Sequence, residues 1–148
     1  MKKTSPSCAF HIKVPKSLYK EFQPTGRGTL VSKEASQLCE AGIRAIRGAE
    51  DYKALFYIDI SKAYPHIGKS IKIRIPTSRS GKNFIRQVCK AYRRAEGEFV
   101  RRLLVLAIIA RRRLPPSATI EEVSTIIKSQ LQAIMARVNV RQNWTGRL

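Results

Sequence analysis

The sequence predicts an α+β, mainly helical fold in which one strand-helix-helix unit is written twice and a further helix follows. Three observations predict it. Residues 10–15 read FHIKVP and residues 71–76 read IKIRIP, so apolar, polar, apolar, polar, apolar, proline recurs at an offset of 61 residues (71 − 10). Each copy is followed by segments whose apolar residues recur at three and four, the period of a helix face. A last stripe of that period begins after the double proline Pro115-Pro116.

In the first strand, alternation puts Phe10, Ile12 and Val14 on one face and Ala9, His11 and Lys13 on the other, and Pro15 ends it. KSLYKEFQ is a short helix candidate, and PTGRG breaks the chain after it. From Ser32 onward Ala35, Leu38, Cys39, Ile43 and Ile46 share a helix face, with Ser32 as the cap and Gly48 as the stop. Residues 49–69 read as a connector carrying more aromatic and acidic residues, with a buried strand expected at LFYIDI and a turn at Tyr64-Pro65.

In the second strand Ile71, Ile73 and Ile75 are the apolar face, Ser70, Lys72 and Arg74 the polar one, and Pro76 closes it. A helix with Phe84, Ile85, Val88, Cys89, Tyr92 and Ala95 on one face follows, then a turn at Glu96-Gly97, then a helix from about residue 98 to residue 113. That last helix is apolar nearly all round, which places it at the centre of the core. Thr119-Ile120-Glu121-Glu122 has the form of a capping box opening the final helix, with a stripe from Ile120 to Val138. Residues 8–114 therefore form one unit (repeat 8–48, connector 49–69, repeat 70–114), and residues 115–148 a C-terminal helix and basic tail.

Neither strand is stable alone, because its backbone groups need partners. Paired with each other antiparallel, the two turn their apolar faces onto the helices and present His11, Lys13, Lys72 and Arg74 as one outward row. A two-stranded ribbon of that kind fits the major groove of duplex DNA.

The charge agrees with such a partner. Lysine and arginine number 29 against 10 acids, a formal net charge of +19, which calls for a polyanion. An anionic membrane surface or an acidic protein is the other class. The longest greasy run, LLVLAIIA at 103–110, is bracketed by Arg101, Arg102 and Arg111–Arg113 and is too short to span a bilayer. The N-terminus has no apolar stretch of signal-peptide length, so a cytoplasmic location is expected. Cys8, Cys39 and Cys89 have neither pairing nor metal-ligand spacing and read as reduced thiols. No catalytic motif stands out: His11 and His66 are far apart in sequence, and Asp51 and Asp59 are the weak candidates for a magnesium site. No cofactor or resident metal is expected, and the chain reads as a binding protein. The scattered Tyr19, Tyr52, Tyr57 and Tyr64 read as core or connector residues before they read as base-stacking platforms.

The pattern of alternating strand, proline, helix, glycine-containing turn and arginine-flanked second helix resembles the ribbon-helix-helix superfamily of DNA-binding proteins. Two copies in one chain resemble its single-chain tandem members among conjugation accessory proteins. Over roughly residues 29–113 the chain is similar to T-DNA transfer accessory proteins that bind near the border repeat, through Ser32-Lys33, Tyr64-Pro65, Lys69-Ser70-Ile71 and the apolar last helix. The resemblance implies a monomeric pseudo-dimer that binds double-stranded DNA, with a relaxase or other transfer proteins as further partners and no membrane. It implies base reading by His11, Lys13, Ser70, Lys72 and Arg74. It implies phosphate binding around the start of each second helix, by Thr29, Leu30, Val31 and Lys33 in the first copy and by Lys69, Arg101 and Arg102 with the second. Glu98, in that second helix start, would oppose a phosphate. A repressor on the same fold, and an RNA- or ribosome-associated basic protein, are the alternatives.

Overall fold

The structure, a computed structural model, describes residues 8–22, 31–47, 51–58, 62, 64–65 and 68–146, with the backbone alone for 31–32, 51–52 and 139–146. Among these the chain is mainly helical, with one two-stranded antiparallel sheet and five α-helices. The order is β1 (Cys8–Val14), α1 (Lys16–Tyr19) running into a 3₁₀ turn (Lys20–Phe22), and α2 (Val31–Arg47). A second 3₁₀ helix (Asp51–Tyr57) leads to β2 (Ile71–Thr77), α3 (Arg79–Tyr92), α4 (Glu96–Arg112) and α5 (Ile120–Gly146).

The strands pair with each other. Ile12 faces Ile73, its counterpart 61 residues on (73 − 12), and on either side His11 faces Arg74 and Lys13 faces Lys72. Beneath the sheet Phe10, Ile12, Val14, Ile73 and Ile75 are buried. The alternation that made these segments strands is thus also what seats them on the helices. Pro15 ends β1, whereas β2 runs one residue past Pro76 to Thr77. Both strands are edges, and an edge tolerates a residue without an N–H. Ala9, expected on the outward face, is buried opposite Pro76, where Lys82 reaches across to its carbonyl.

Helix α4 contributes nine buried residues and forms the centre of the core, as its all-round apolar pattern requires. Helix α2 crosses it closely enough that Gly42 lies against Leu103. Helix α5 leans Val123, Ile127 and Leu131 onto α2, α4 and the second 3₁₀ helix. Its start is the predicted capping box: Thr119 Oγ1 accepts from the Glu122 N–H at 3.1 Å, and the Thr119 N–H donates to Glu122 Oε1 at 3.0 Å. Cys39 and Cys89 are buried free thiols, and Cys8 is half-buried.

Several expectations are corrected. LFYIDI does not start a strand, because Asp51–Tyr57 is 3₁₀ helix. Across residues 53–57 Ala54 and Leu55 are buried side by side, a helical pattern without alternation. The expected turn at Glu96-Gly97 falls earlier, on residues 93–95, and α4 starts at Glu96. Two acids, Glu96 and Glu98, then sit in the first turn, where the helix dipole favours them. Ser32 lies inside α2 and does not cap it, and Gly48 lies outside the described residues. Tyr92 and Ala95, assigned to the apolar face of α3, are exposed, Tyr92 as the last residue of the helix and Ala95 beyond its end. The final helix continues past Val138 to Gly146, through residues with no breaker among them.

Candidate nucleic-acid interface

The outward face of the sheet carries His11, Lys13, Lys72 and Arg74, all exposed, in two cross-strand pairs on either side of the Ile12–Ile73 pair. Placing Lys13 directly opposite Lys72 sets like charges side by side, an arrangement that weakens a sheet by a few tenths of a kcal/mol or more. Folding alone has no reason to choose it.

Among the described residues the acids do not relieve that repulsion. Six carboxylates pair with arginines on the helical body: Glu40 and Glu121 with Arg44, Glu96 with Arg86, Glu98 with Arg102, Glu34 with Arg111, and Glu21 with Arg112. Glu122 is held in the capping box. Among the described residues no ion pair involves the four ribbon residues. The Glu21 contacts also hold the Arg112 guanidinium above its ordinary pKa, while burial, with Glu21 beside it, pushes the Tyr64 hydroxyl up to about 12.

The ribbon is fastened at its free edges by side chains from the helices. Ser36 of α2 donates to the Pro76 carbonyl of β2 at 2.6 Å. Lys82 of α3 donates to the Ala9 carbonyl at 2.8 Å and lies over the Phe10 ring at 5.7 Å. Arg101 of α4 donates from Nη1 to the Lys13 carbonyl at 3.0 Å. Each tie joins a helix of one half of the chain to the strand of the other, and each satisfies a carbonyl that a two-stranded sheet leaves unpaired.

The remaining expected contacts divide. Lys33, in the first turn of α2, and Lys69, two residues before β2, are exposed. Ser70 lies one residue ahead of the paired register, half-buried and with contacts of its own. Arg101 stands at the flank of the ribbon, half-buried and bound to β1. Arg102 is engaged within the fold: its side chain, 18% exposed, is held by Glu98 at 2.7 Å and directed to the Leu55 carbonyl at 3.4 Å, so it braces the second 3₁₀ helix. Thr29 and Leu30 lie outside the described residues, as do His66 and Asp59, and for Val31 the backbone alone is described, as the first residue of α2. The bracing roles of Ser36, Lys82 and Arg101 are not visible in the sequence, because each depends on which strand carbonyl its helix crosses.

No group of three or more His, Cys, Asp or Glu side chains among the described residues is placed to hold a metal ion. No helix among them is long and apolar enough to cross a membrane. No protein-family model matches the chain, and no curated protein or solved structure matches it significantly.

Proposed function

We propose that the chain is a sequence-specific double-stranded DNA-binding protein of the ribbon-helix-helix type, in which two β-α-α repeats of one chain form a pseudo-dimer. The carrying observation is the register that lines up His11, Lys13, Lys72 and Arg74 on the exposed face of a two-stranded sheet whose other face is core. A ribbon of this width enters the roughly 12 Å major groove, where Arg74 has the fork geometry to grip guanine O6 and N7.

The repeat reading is supported by the helices as well. Helices α2 and α4 are both 17 residues long, and buried Ala35, Leu38, Cys39 and Ile43 of the first have buried counterparts Val100, Leu103, Leu104 and Ile108 of the second, at a constant offset of 65 (100 − 35). Because both strands of the ribbon belong to one chain, the protein is expected to be a monomer. The role as an accessory factor of conjugative plasmid or T-DNA transfer rests on the sequence resemblance over roughly residues 29–113.

Binding to a selected duplex and to a random duplex, measured for wild type, Lys72→Ala, Arg74→Ala and Ile73→Ala, tests the reading. Lys72→Ala and Arg74→Ala are expected to lose about 1–3 kcal/mol on the selected duplex and much less on the random one, with the fold intact. Ile73→Ala is expected to lose stability instead, by about 2–5 kcal/mol. Equal losses on both duplexes for the two basic variants would reduce the ribbon to a charge anchor. An affinity that is insensitive to salt would remove the nucleic-acid reading altogether.

A further inference from the structure

The end of α3 and the second 3₁₀ helix bring the Phe56 and Tyr92 rings together with Lys53 and Arg94, and Tyr57 and Arg93 are exposed chain neighbours of that cluster. Tyr57 is 55% exposed and Tyr92 is 37% exposed. The half-buried Phe56, chain neighbour of Tyr57, stands 5.3 Å from the Tyr92 ring centre and anchors the patch to core Phe99 at 6.0 Å. Lys53 lies over the Tyr92 ring at 5.8 Å and the Arg94 guanidinium over Phe56 at 4.9 Å. Arg93, the chain neighbour of Tyr92 and Arg94, is exposed.

Arg93 is a second, separate signal. It ends α3 in the left-handed conformation (φ 53, ψ 47), with the Arg94 N–H on the Cys89 carbonyl at 2.9 Å and the Arg93 N–H on that of Lys90 at 3.4 Å. That position in a helix stop is ordinarily glycine, because a Cβ is strained there. The chain keeps an arginine at a site where glycine would be more stable, and adds Arg94 next to it. Neither of these, nor Lys53, has a carboxylate partner among the described residues, whereas the acids of the neighbouring helix start are taken by Arg86 and Arg102.

We propose that Lys53, Phe56, Tyr57, Tyr92, Arg93 and Arg94 form a second nucleic-acid site, one that takes single-stranded nucleic acid by stacking unpaired bases on the tyrosines while the cations meet the phosphates. Exposed rings answer to this ligand and not to a duplex, whose bases have no free faces, and a ring over which a cation already lies can exchange that cation for a base as the cation moves to the backbone. A purely acidic partner would use the cations and leave the rings without a role. The site is independent of the ribbon and stands or falls separately from it.

The test uses the full chain and a fluorescein-labelled 15-mer oligothymidylate, which forms no duplex, with binding followed by anisotropy. Tyr57→Ala and Tyr92→Ala are expected to weaken binding on the order of tenfold each, as loss of a stacked base does. Tyr57→Phe and Tyr92→Phe keep the ring and should bind as wild type. Arg93→Gly should weaken binding while raising the Tm, because it removes the charge and the strain together. All five variants should retain wild-type preference between selected and random duplex, and Lys72→Ala with Arg74→Ala should leave these single-strand losses unchanged. The proposal is overturned if the alanine variants bind oligothymidylate as tightly as wild type, if the phenylalanine variants lose as much as the alanine ones, or if oligoglutamate of equal charge displaces the oligonucleotide as well as unlabelled oligothymidylate does. The last outcome would mark the patch as a seat for an acidic protein. Because Tyr57 is more than half exposed, its alanine variant keeps the fold and decides the matter even where Tyr92→Ala loses stability.

Discussion

Replacing Gly42 by alanine tests the packing that holds the two halves of the chain together. In an ordinary helix interior this change stabilises by about 1 kcal/mol, because alanine loses less backbone entropy than glycine. Here the added Cβ would stand 2.4 Å from Leu103 Cγ and 2.7 and 2.9 Å from its two methyl carbons. All three branch atoms are too close, so turning the leucine exchanges one clash for another, and Leu103 is fully buried with no room to retreat. Overpacking of this kind costs about 1–3 kcal/mol, and three simultaneous contacts put it at the upper end. The net is a destabilisation of roughly 1–2 kcal/mol, or a Tm lower by about 2–8 °C for a chain of this size. Leu103→Ala alone should cost about 2–5 kcal/mol. In that background the new methyl fills part of the cavity, so Gly42→Ala should turn stabilising, a coupling of about 2 kcal/mol between the sites. Urea unfolding followed by far-UV circular dichroism reads all four proteins. A Gly42→Ala variant more stable than wild type, or one that costs the same with and without Leu103, would refute the close crossing of α2 and α4.

Two further outcomes follow from the charges and the buried groups. Lys72→Thr should stabilise the fold by a few tenths of a kcal/mol, since it relieves the like-charge pair with Lys13 and adds a β-branched residue, while weakening binding to duplex DNA; thermal melts and duplex titrations of the same variant check the opposed signs. Burial, with Glu40 beside it, pushes the Cys39 thiol up to about 12, and burial, with Glu96 and Glu98, pushes Cys89 up to about 11. Tyr64 is raised likewise. Groups raised on folding give stability that is whole below their unfolded pKa and is lost as pH climbs through the folded value, so urea midpoints should hold to about pH 9 and fall from there toward pH 12; a midpoint that is flat over that range would contradict the burial of these groups.

The strands were legible because two independent marks agreed: a period of two that separates Ile73 and Ile75 from Lys72 and Arg74, and a proline near the end of each. The capping box at Thr119 and the central place of α4 were legible for the same reason, each being a local pattern whose physical consequence is nearly unique. What escaped depends on partners remote in sequence. A short apolar run such as residues 54–56 does not declare strand or helix. Arg101 and Arg102 are neighbours with the same side chain, yet one reaches the ribbon and the other the 3₁₀ helix, since they lie about 100° apart around α4. Tyr92 has the helical spacing of a core residue, yet as the last residue of α3 it is exposed.

Under the proposed DNA-binding function, the register also bears on the shape of the target. An offset of 61 residues maps Lys13 onto Arg74 and His11 onto Lys72, and the observed pairs His11–Arg74 and Lys13–Lys72 exchange under that mapping. The backbone of the ribbon thus has a dyad at Ile12–Ile73 that its side chains do not obey. A homodimer would read a palindrome. This ribbon, if it reads bases, offers an arginine fork on one side of the dyad and a lysine point charge on the other, a difference worth about 1–3 kcal/mol at a guanine. Duplexes selected from a random pool by the wild-type chain should therefore lack a dyad and fix the protein in one orientation. The double variant His11→Lys, Lys13→Arg gives both strands the same outward pair, and the duplexes it selects should acquire two-fold symmetry. Selected sequences that are palindromic for wild type, or that stay equally asymmetric in the double variant, would show that these four residues do not choose the bases.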